Sequence, residues 1–154
     1  MALEGIRSFG KSIRNLVKSE LMEADRENLL YVSLLGGMVI TQAGVTIAHG
    51  MGYCYTYFKN IPHGKANGLI MREYLKLNTK VVGDKVEKVL EALQCKSIDE
   101  FADLLYTMLG NAPSLTDAEI EHYTRLTKHQ KGSISNTPYP IDEEVISSLW
   151  RNIR

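Results

Sequence analysis

The sequence predicts an all-α fold, a single helical bundle, and three observations support this prediction. Apolar residues recur at the three- and four-residue spacing of an amphipathic helix in most segments. Two capping boxes, Ser97 to Glu100 and Thr116 to Glu119, mark helix N-termini. No segment shows a convincing strand pattern, and the β-branched stretch 39–47 is the weakest helix prediction. With 154 residues, of which 44% are apolar, the chain has the size of one domain.

Three helices are predicted in the first part of the chain. The first contains the apolar positions from Leu3 to Val17 and begins at Met1 without a visible capping residue, so we expect it to be cut short. Asp25 is predicted to cap a second helix that runs into the Gly36-Gly37 pair. A third is predicted over residues 47–58.

The segment 29–58 contains no Asp, Glu, Lys or Arg, which raises the possibility of a membrane segment. Its glycines and polar residues, among them Thr41 and Gln42, lower the hydrophobicity below that of a typical spanning helix. We therefore predict a pair of fully buried helices here, and no membrane partner.

The second part of the chain continues the helical pattern. Pro62 interrupts it, after which helices are predicted over residues 64–77 and 85–93, and then behind each capping box. The segment 132–140 is polar and contains two prolines, which predicts a loop. A last helix is predicted from Asp142 to Ile153.

Charge and cysteine usage exclude several classes of protein. The chain has 18 basic and 18 acidic residues, so nothing in its charge balance favours a nucleic-acid partner. Cys54 and Cys95 form neither a CxxC pair nor a disulfide framework, and the N-terminus lacks the apolar core of a signal peptide. These features predict a cytoplasmic protein.

Two histidines are the strongest candidates for chemistry. His49 lies in the run Ala-His-Gly-Met-Gly-Tyr, and His63 follows Pro62 and precedes Gly64. A single histidine on an apolar face is more often a hydrogen-bonded core residue than a ligand. Because Pro62 is expected near a helix start, however, the imidazole of His63 could project toward the helix that carries His49. Two nitrogen ligands hold a metal poorly, so further ligands would be needed.

Other patterns are weaker. Glu119, His122 and His129 share one helix face but lie among basic residues, so a solvated face is the simpler interpretation. The run Gly50-x-Gly52-x-x-Tyr55 lacks the third glycine of a dinucleotide fingerprint and indicates close helix packing instead. An aromatic cluster could be core or could line a pocket; it comprises Tyr53, Tyr55, Tyr57 and Phe58.

The run from Gly36 to Asn78, with its paired AHGMG and PHGKAN motifs, closely resembles the metal-binding signature of the iron-containing (group III) alcohol dehydrogenases. The opening Ala-Leu-Glu-Gly-Ile-Arg and the segment 137–140 are also similar to that family, so essentially the whole chain is covered. The resemblance implies the helical C-terminal domain of that family, within the dehydroquinate synthase-like superfamily.

The resemblance also implies a site. In that family an ion, commonly iron and sometimes zinc, is held by one aspartate and three histidines, and His49 and His63 match two of these histidines. The other two ligands, and an α/β domain that binds NAD(P), lie upstream in the family. Residues 1–154 are thus expected to form a single helical metal-binding domain without the N-terminal nucleotide-binding domain. Many relatives have a further histidine, close to substrate and nicotinamide, where this chain has Tyr53. The resemblance therefore implies a catalytic position for Tyr53, although a phenol carries protons poorly near neutrality.

The implied reaction is the oxidation of a small alcohol to an aldehyde or ketone, with hydride transfer to NAD(P). We expect this chain alone to be inactive and to be capable of homo-oligomerisation. Two alternatives remain open: part of another member of the same superfamily, such as a glycerol dehydrogenase or a dehydroquinate synthase, and a non-enzymatic helical module that associates with itself.

Overall fold

The computed structural model describes residues 1–153, and its regular structure there consists of eight helices without a strand, which confirms the predicted all-α class. In chain order the helices are α1 (Ala2–Lys18), α2 (Glu23–Ala43), α3 (Ile47–Lys59), α4 (His63–Ala92), α5 (Ile98–Leu109), α6 (Asp117–Thr127), α7 (Lys131–Ser135) and α8 (Glu143–Asn152).

Helices α1 and α2 form an antiparallel pair joined by a short turn. Met1 precedes α1 and makes no side-chain capping bond, as predicted. The prediction that Asp25 caps α2 was wrong by three residues. Met22 is the residue before the helix, and the Asp25 carboxylate, in the first turn, accepts a hydrogen bond from the Met22 amide at 3.2 Å. Asp25 thus satisfies a free donor at the helix start from inside the helix.

The chain turns sharply between α2 and α3. Gly44 has a φ of 71°, a conformation that favours glycine, and the two helix axes differ by 112°. The first amide of α3, on Ile47, donates to the Thr137 hydroxyl at 2.9 Å, and Asn136 donates to the carbonyls of Ala43 and Val45 at 3.2 and 3.3 Å. The entry to α3 is therefore fixed by residues about 90 positions later in the chain.

The two helices predicted over residues 64–77 and 85–93 are one element, α4, which is not straight. Val82 has non-helical backbone angles, φ −136° and ψ 44°, and marks a kink between the two predicted segments. The helical pattern was predicted on both sides of this kink, and the helix continues through it as one element.

The later helix starts agree with their capping signals. The hydroxyls of Ser97 and Thr116 accept from the amides of Glu100 and Glu119, and the Asp142 carboxylate accepts from Val145. The loop predicted over residues 132–140 is partly wrong, because the five-residue helix α7 spans its first part. The two prolines lie beyond α7, where they are compatible with irregular backbone.

Two buried clusters form the core. The first joins α3, α4, α6 and α8, and its large members include Met51, Tyr55, Tyr123 and Trp150. The second joins α1, α4 and α5 around Ile13. Helix α4 belongs to both clusters, so it is the element that connects them, and it also carries His63.

Helix α2 does not match the predicted pair of fully buried helices. It packs against α1, yet Leu30 is 74% exposed and Leu34 61% exposed. A β-carbon on Gly36 or Gly37 would meet no atom within 4 Å. The prediction holds for much of α3, whose Ile47 and Met51 are fully buried. It fails for α2 because hydrophobic composition does not reveal whether a covering neighbour is present.

Within residues 1–153 no single helix is long and apolar enough to cross a membrane, although α2 and α3 taken together as a bent pair meet the length and composition criteria.

Candidate metal centre

The turn between α3 and α4 brings the two predicted histidines together. Asn60 ends α3 in the left-handed conformation, φ 52°, and Pro62 is the residue immediately before α4. His63 is therefore the first residue of α4, and His49 lies in the first turn of α3. The side chain of His63 contacts that of Thr56, and Asn67, one turn later in α4, contacts Gly52, one turn earlier in α3. The two helices therefore run antiparallel at this point.

The Nε2 atoms of His49 and His63 are 3.0 Å apart. Their ring centroids are 4.5 Å apart, with an angle of 79° between the planes. The predicted projection of His63 toward the helix of His49 is thus confirmed as geometry. Their role as metal ligands stays a prediction.

The environment of His49 favours its neutral form. The side chain is half-buried, and its Nδ1 atom is buried without a hydrogen-bond partner among residues 1–153. Burial lowers the pKa of His49 from its usual 6.5, and the charge of nearby His63 lowers it further. The neutral imidazole is the form that binds a metal, so this environment favours a ligand role.

Three further residues support His63. Its Nδ1 is 3.2 Å from the Thr56 hydroxyl oxygen, and its Nε2 is 3.2 Å from the amide nitrogen of Asn67. Asn67 approaches this closely because position 52 is a glycine: a β-carbon there would lie 1.9 Å from the Asn67 side-chain oxygen. The close helix packing predicted from the glycine run is confirmed at Gly52.

Tyr53 stands beside both histidines. Its ring stacks on His63 with centroids 5.0 Å apart and planes at 25°, and it meets the His49 ring edge-on at 5.1 Å. The side chain is 48% exposed, so one part of it contacts the imidazoles and another faces outward. This position agrees with a wall of a pocket next to the histidines.

The donor set fits one shared ion. Two imidazole nitrogens bound to Zn²⁺ at about 2.1 Å, at angles of about 90° to 109°, lie about 3.0 to 3.4 Å from each other. The observed separation of 3.0 Å falls within that range. Among residues 1–153, however, no group of three or more His, Cys, Asp or Glu side chains is arranged to hold an ion. The described residues therefore offer two ligands, fewer than the three or four protein ligands that metal sites use.

The second histidine group does not form a site. Glu119 pairs with Lys59 and also accepts from the Thr116 amide, whereas His122 packs edge-on against Phe58 and His129 is exposed. The interpretation of this trio as a solvated face is correct for His129, and His122 is a packing residue. Glu119 instead holds α6 to the end of α3.

Burial disfavours the thiolate form of both cysteines. Both are buried and free, and burial raises the pKa of the Cys54 thiol to about 11. A thiol with such a pKa carries little thiolate near neutrality. This agrees with the absence of a nucleophile pattern around either cysteine.

The aromatic cluster of α3 divides between the two predicted roles. Tyr55 is 1% exposed and packs edge-on against Trp150 in the core. Tyr57 and Phe58 are exposed, and together with Tyr53 they line a groove that continues to Leu126 on α6. The groove adjoins the histidine pair through Tyr53.

Sequence reasoning did not identify Thr56 and Thr137. Thr56 lies one helical turn after Gly52 and donates to its carbonyl. Many helical threonines bond in this way, so no local pattern distinguishes Thr56. Thr137 acts on the start of α3 from a distant part of the chain. Asn67 was present in the quoted motif, but nothing in its spacing indicated contact with Gly52.

Comparison with known proteins agrees with the resemblance. The Fe-containing alcohol dehydrogenase family, C-terminal, matches residues 1–153 of the chain. A protein named Probable alcohol dehydrogenase EutG, of Salmonella typhimurium, is 29% identical over 131 residues, which are 80% of this chain and 33% of that protein. The 1,3-propanediol dehydrogenase of Klebsiella pneumoniae is 27% identical over 92 residues, 60% of this chain and 24% of that enzyme. The chain thus spans a third or less of the length of these relatives.

Solved structures show the same fold. An iron-containing alcohol dehydrogenase from Thermotoga maritima superposes with a TM-score of 0.83 at 27% identity, covering 98% of this chain and 40% of that one. The sulfoacetaldehyde reductase of Bifidobacterium kashiwanohense, solved with NAD⁺, superposes with a TM-score of 0.78 at 20% identity, covering 99% and 46%, and supports the fold alone. By its match over residues 1–153, and with its paired histidine motifs adjacent in space, the chain belongs to the iron-containing alcohol dehydrogenase family and corresponds to the C-terminal domain of that family.

Proposed function

We propose that this chain provides the metal-binding helical part of an iron-type alcohol dehydrogenase, an enzyme that interconverts a small alcohol and its aldehyde or ketone with hydride transfer to NAD or NADP. The observation that carries this proposal is the 3.0 Å separation of the His49 and His63 Nε2 atoms in a member of this family. The relatives named for alcohols, one of them for 1,3-propanediol, support a small alcohol as substrate.

In this proposal His49 and His63 hold the ion, which is iron or zinc. Bound there, the ion supplies Lewis acidity toward the oxygen of the alcohol or carbonyl compound. The chain contributes two of four ligands, and by the family resemblance the others are one aspartate and one histidine. These ligands and the NAD(P) site belong to a part of the enzyme other than residues 1–154, so we propose that this chain alone is catalytically inactive.

Tyr53 is proposed to form the wall of the substrate pocket beside the ion. Its stacking on His63 and its partly exposed ring support this role, because a substrate that approaches the histidines from the groove must pass it. In a complete enzyme, Tyr53→Phe would test the phenol hydroxyl and Tyr53→Ala the ring. A pocket wall predicts a change in KM for bulky alcohols with Tyr53→Ala and little change with Tyr53→Phe.

The ligand role is tested on the full chain, freed of metal with a chelator and titrated under anaerobic conditions with Co²⁺, whose absorption reports nitrogen ligation. We expect wild type to bind one Co²⁺ ion weakly, because two imidazoles are fewer ligands than a stable site uses, and the double variant His49→Ala, His63→Ala to lose that binding. His129→Ala is the matched control, because that histidine is exposed and lies outside the pair. Equal binding by the double variant, or no binding by wild type, would contradict the proposal.

A second candidate function is a non-enzymatic module that associates with itself. The exposed apolar side chains of α2, Leu30 and Leu34 foremost, favour it. Sedimentation of wild type and of the variant Leu30→Lys, Leu34→Lys distinguishes the candidates. A stable oligomer that the variant abolishes, combined with no metal binding, would favour the module.

A further inference from the structure

The hydroxyl of Thr56 lies between two potential partners. Thr56 donates to the carbonyl oxygen of Gly52, one turn earlier in α3, at 3.0 Å. The same oxygen is 3.2 Å from Nδ1 of His63. A hydroxyl has one proton, and here that proton is used in the bond to Gly52. With its proton in that bond, the Thr56 oxygen accepts from His63, which places a proton on Nδ1.

Asn67 leads to the same assignment from the other side of the ring. Its amide nitrogen lies 3.2 Å from Nε2 of His63. An amide nitrogen donates and does not accept, so Nε2 must present a lone pair. The proton on Nδ1 and the lone pair on Nε2 are the two properties of one tautomer, and contacts from two residues on different helices favour it.

The tautomer matters because of where Nε2 points. This atom is 3.0 Å from Nε2 of His49, so a lone pair there is directed to the place where both imidazoles can meet one ion. With the proton on Nε2 instead, His63 could not bind at that place. Metal-binding histidines elsewhere are fixed in the same way, by a hydrogen bond from the ring nitrogen that does not bind the metal.

We propose that Thr56 is a positioning residue: its hydroxyl holds His63 in the tautomer protonated at Nδ1, so that Nε2 is available to an ion shared with His49. The part of the proposal that concerns an ion rests on the proposed function, in which His49 and His63 are metal ligands. His49 lacks an equivalent contact within residues 1–153, since its own Nδ1 has no partner there. Thr56 therefore orients one ligand of the pair and not the other.

The test uses the full chain without metal, labelled with ¹⁵N at histidine, at a pH of about 8, where histidine side chains are mostly neutral. Two-bond ¹⁵N–¹H correlation spectra distinguish the two neutral tautomers of His63. The variants are Thr56→Val, which keeps the shape and loses the hydroxyl, and Thr56→Ser, which keeps the hydroxyl. Thr107→Val is the matched control, because Thr107 makes the same bond to a carbonyl one turn earlier, that of Asp103 at 2.7 Å, on a different helix.

We expect the Nδ1-protonated tautomer in wild type, Thr56→Ser and Thr107→Val, and a shift toward the other tautomer in Thr56→Val. In a parallel Zn²⁺ titration, Thr56→Val should weaken binding by about 10- to 100-fold, with recovery in Thr56→Ser. Wild-type His63 protonated at Nε2, or an unchanged tautomer in Thr56→Val, would overturn the proposal. Because the spectra are recorded without metal, a wild type that fails to bind Zn²⁺ would count against the proposed function and leave the tautomer to be decided by the spectra.

Discussion

The side-chain oxygen of Asn67 lies 1.9 Å from the point that a β-carbon on Gly52 would occupy. Non-bonded carbon and oxygen atoms do not approach that closely, so Asn67 takes its place only because residue 52 is a glycine. The amide group of Asn67 in turn contacts Nε2 of His63. The position of the Asn67 amide, and with it one contact of His63, thus depends on the absence of a β-carbon at residue 52.

Gly52→Ala should therefore disturb both packing and the histidine pair. We expect a loss of about 1–3 kcal/mol in the free energy of unfolding, the usual cost of overpacking a tight contact. Affinity for Zn²⁺ should fall as well, because Asn67 must move. Urea denaturation and metal titration measure the two effects.

The control is Gly36→Ala, at a helical position where a β-carbon meets nothing within 4 Å. Alanine suits a helix better than glycine, so this variant should be neutral or more stable by about 0.5–1 kcal/mol. A Gly52→Ala protein as stable as Gly36→Ala would show that the Asn67 side chain can move aside at no cost.

Thr137→Val should destabilise the start of α3. The Ile47 amide donates to the Thr137 hydroxyl at 2.9 Å, and valine would leave that buried donor unpaired at a cost of about 1–3 kcal/mol. Thr137→Ser should recover most of the loss. Thr41→Val, which removes only an exposed bond within α2, is the control for thermal unfolding measurements. Equal melting temperatures for Thr137→Val and Thr41→Val would show that the bond from Ile47 to Thr137 does not stabilise the start of α3.

The two faces of α2 should respond differently to truncation. Leu35 is 8% exposed and faces α1, so Leu35→Ala should cost about 2–5 kcal/mol. Leu30 is 74% exposed, and Leu30→Ala should change stability by no more than about 0.5 kcal/mol. Urea unfolding of both variants gives the comparison. A similar cost at both positions would mean that Leu30 is covered in solution.

Glu119 should contribute to stability in a way that acid removes. The hydrogen bond from Lys59, with those from the Thr116 amide and hydroxyl, lowers the pKa of Glu119 from 4.5 to about 2. A lowered folded-state pKa means that the carboxylate stabilises the fold fully above pH 4.5 and loses that contribution as the pH falls toward about 2.

Glu119→Gln should accordingly lower the urea midpoint at pH 7 and flatten its decline between pH 4.5 and 2, the two limits set by the pKa shift. Glu121→Gln is the control, since Glu121 pairs with an exposed arginine on its own helix. If Glu119→Gln and wild type decline in parallel, Lys59 does not hold this carboxylate.

Local signals in the sequence were enough to predict much of the fold. The side chains of Ser97, Thr116 and Asp142 each accept a hydrogen bond from an amide three residues later, in the first turn of the helix that follows. Asp25 was misplaced because an acidic residue stabilises a helix start both before the helix and inside its first turn. Spacing alone does not separate these positions.

The candidate site was predictable as a pair of histidines but not as an arrangement. Pro62 is a local signal for the start of α4, and from it the direction of His63 could be inferred. The contacts of Asn67 with Gly52 and of Thr137 with Ile47 join residues whose proximity only the packed helices create. The exposure of α2 was missed for the same reason, because composition describes a helix and not its neighbours.

The bonds that Asn136 and Thr137 make to residues 43–47 also have a consequence for the order of events during synthesis. The N-terminal residues of a chain leave the ribosome first. His49 and His63 therefore emerge long before Asn136 and Thr137, which fix the entry to α3. The buried cluster around α3 likewise cannot be complete before Trp150 on α8 has emerged. The histidine pair is close in sequence, yet it acquires its final support only after the residues up to Trp150 have been translated.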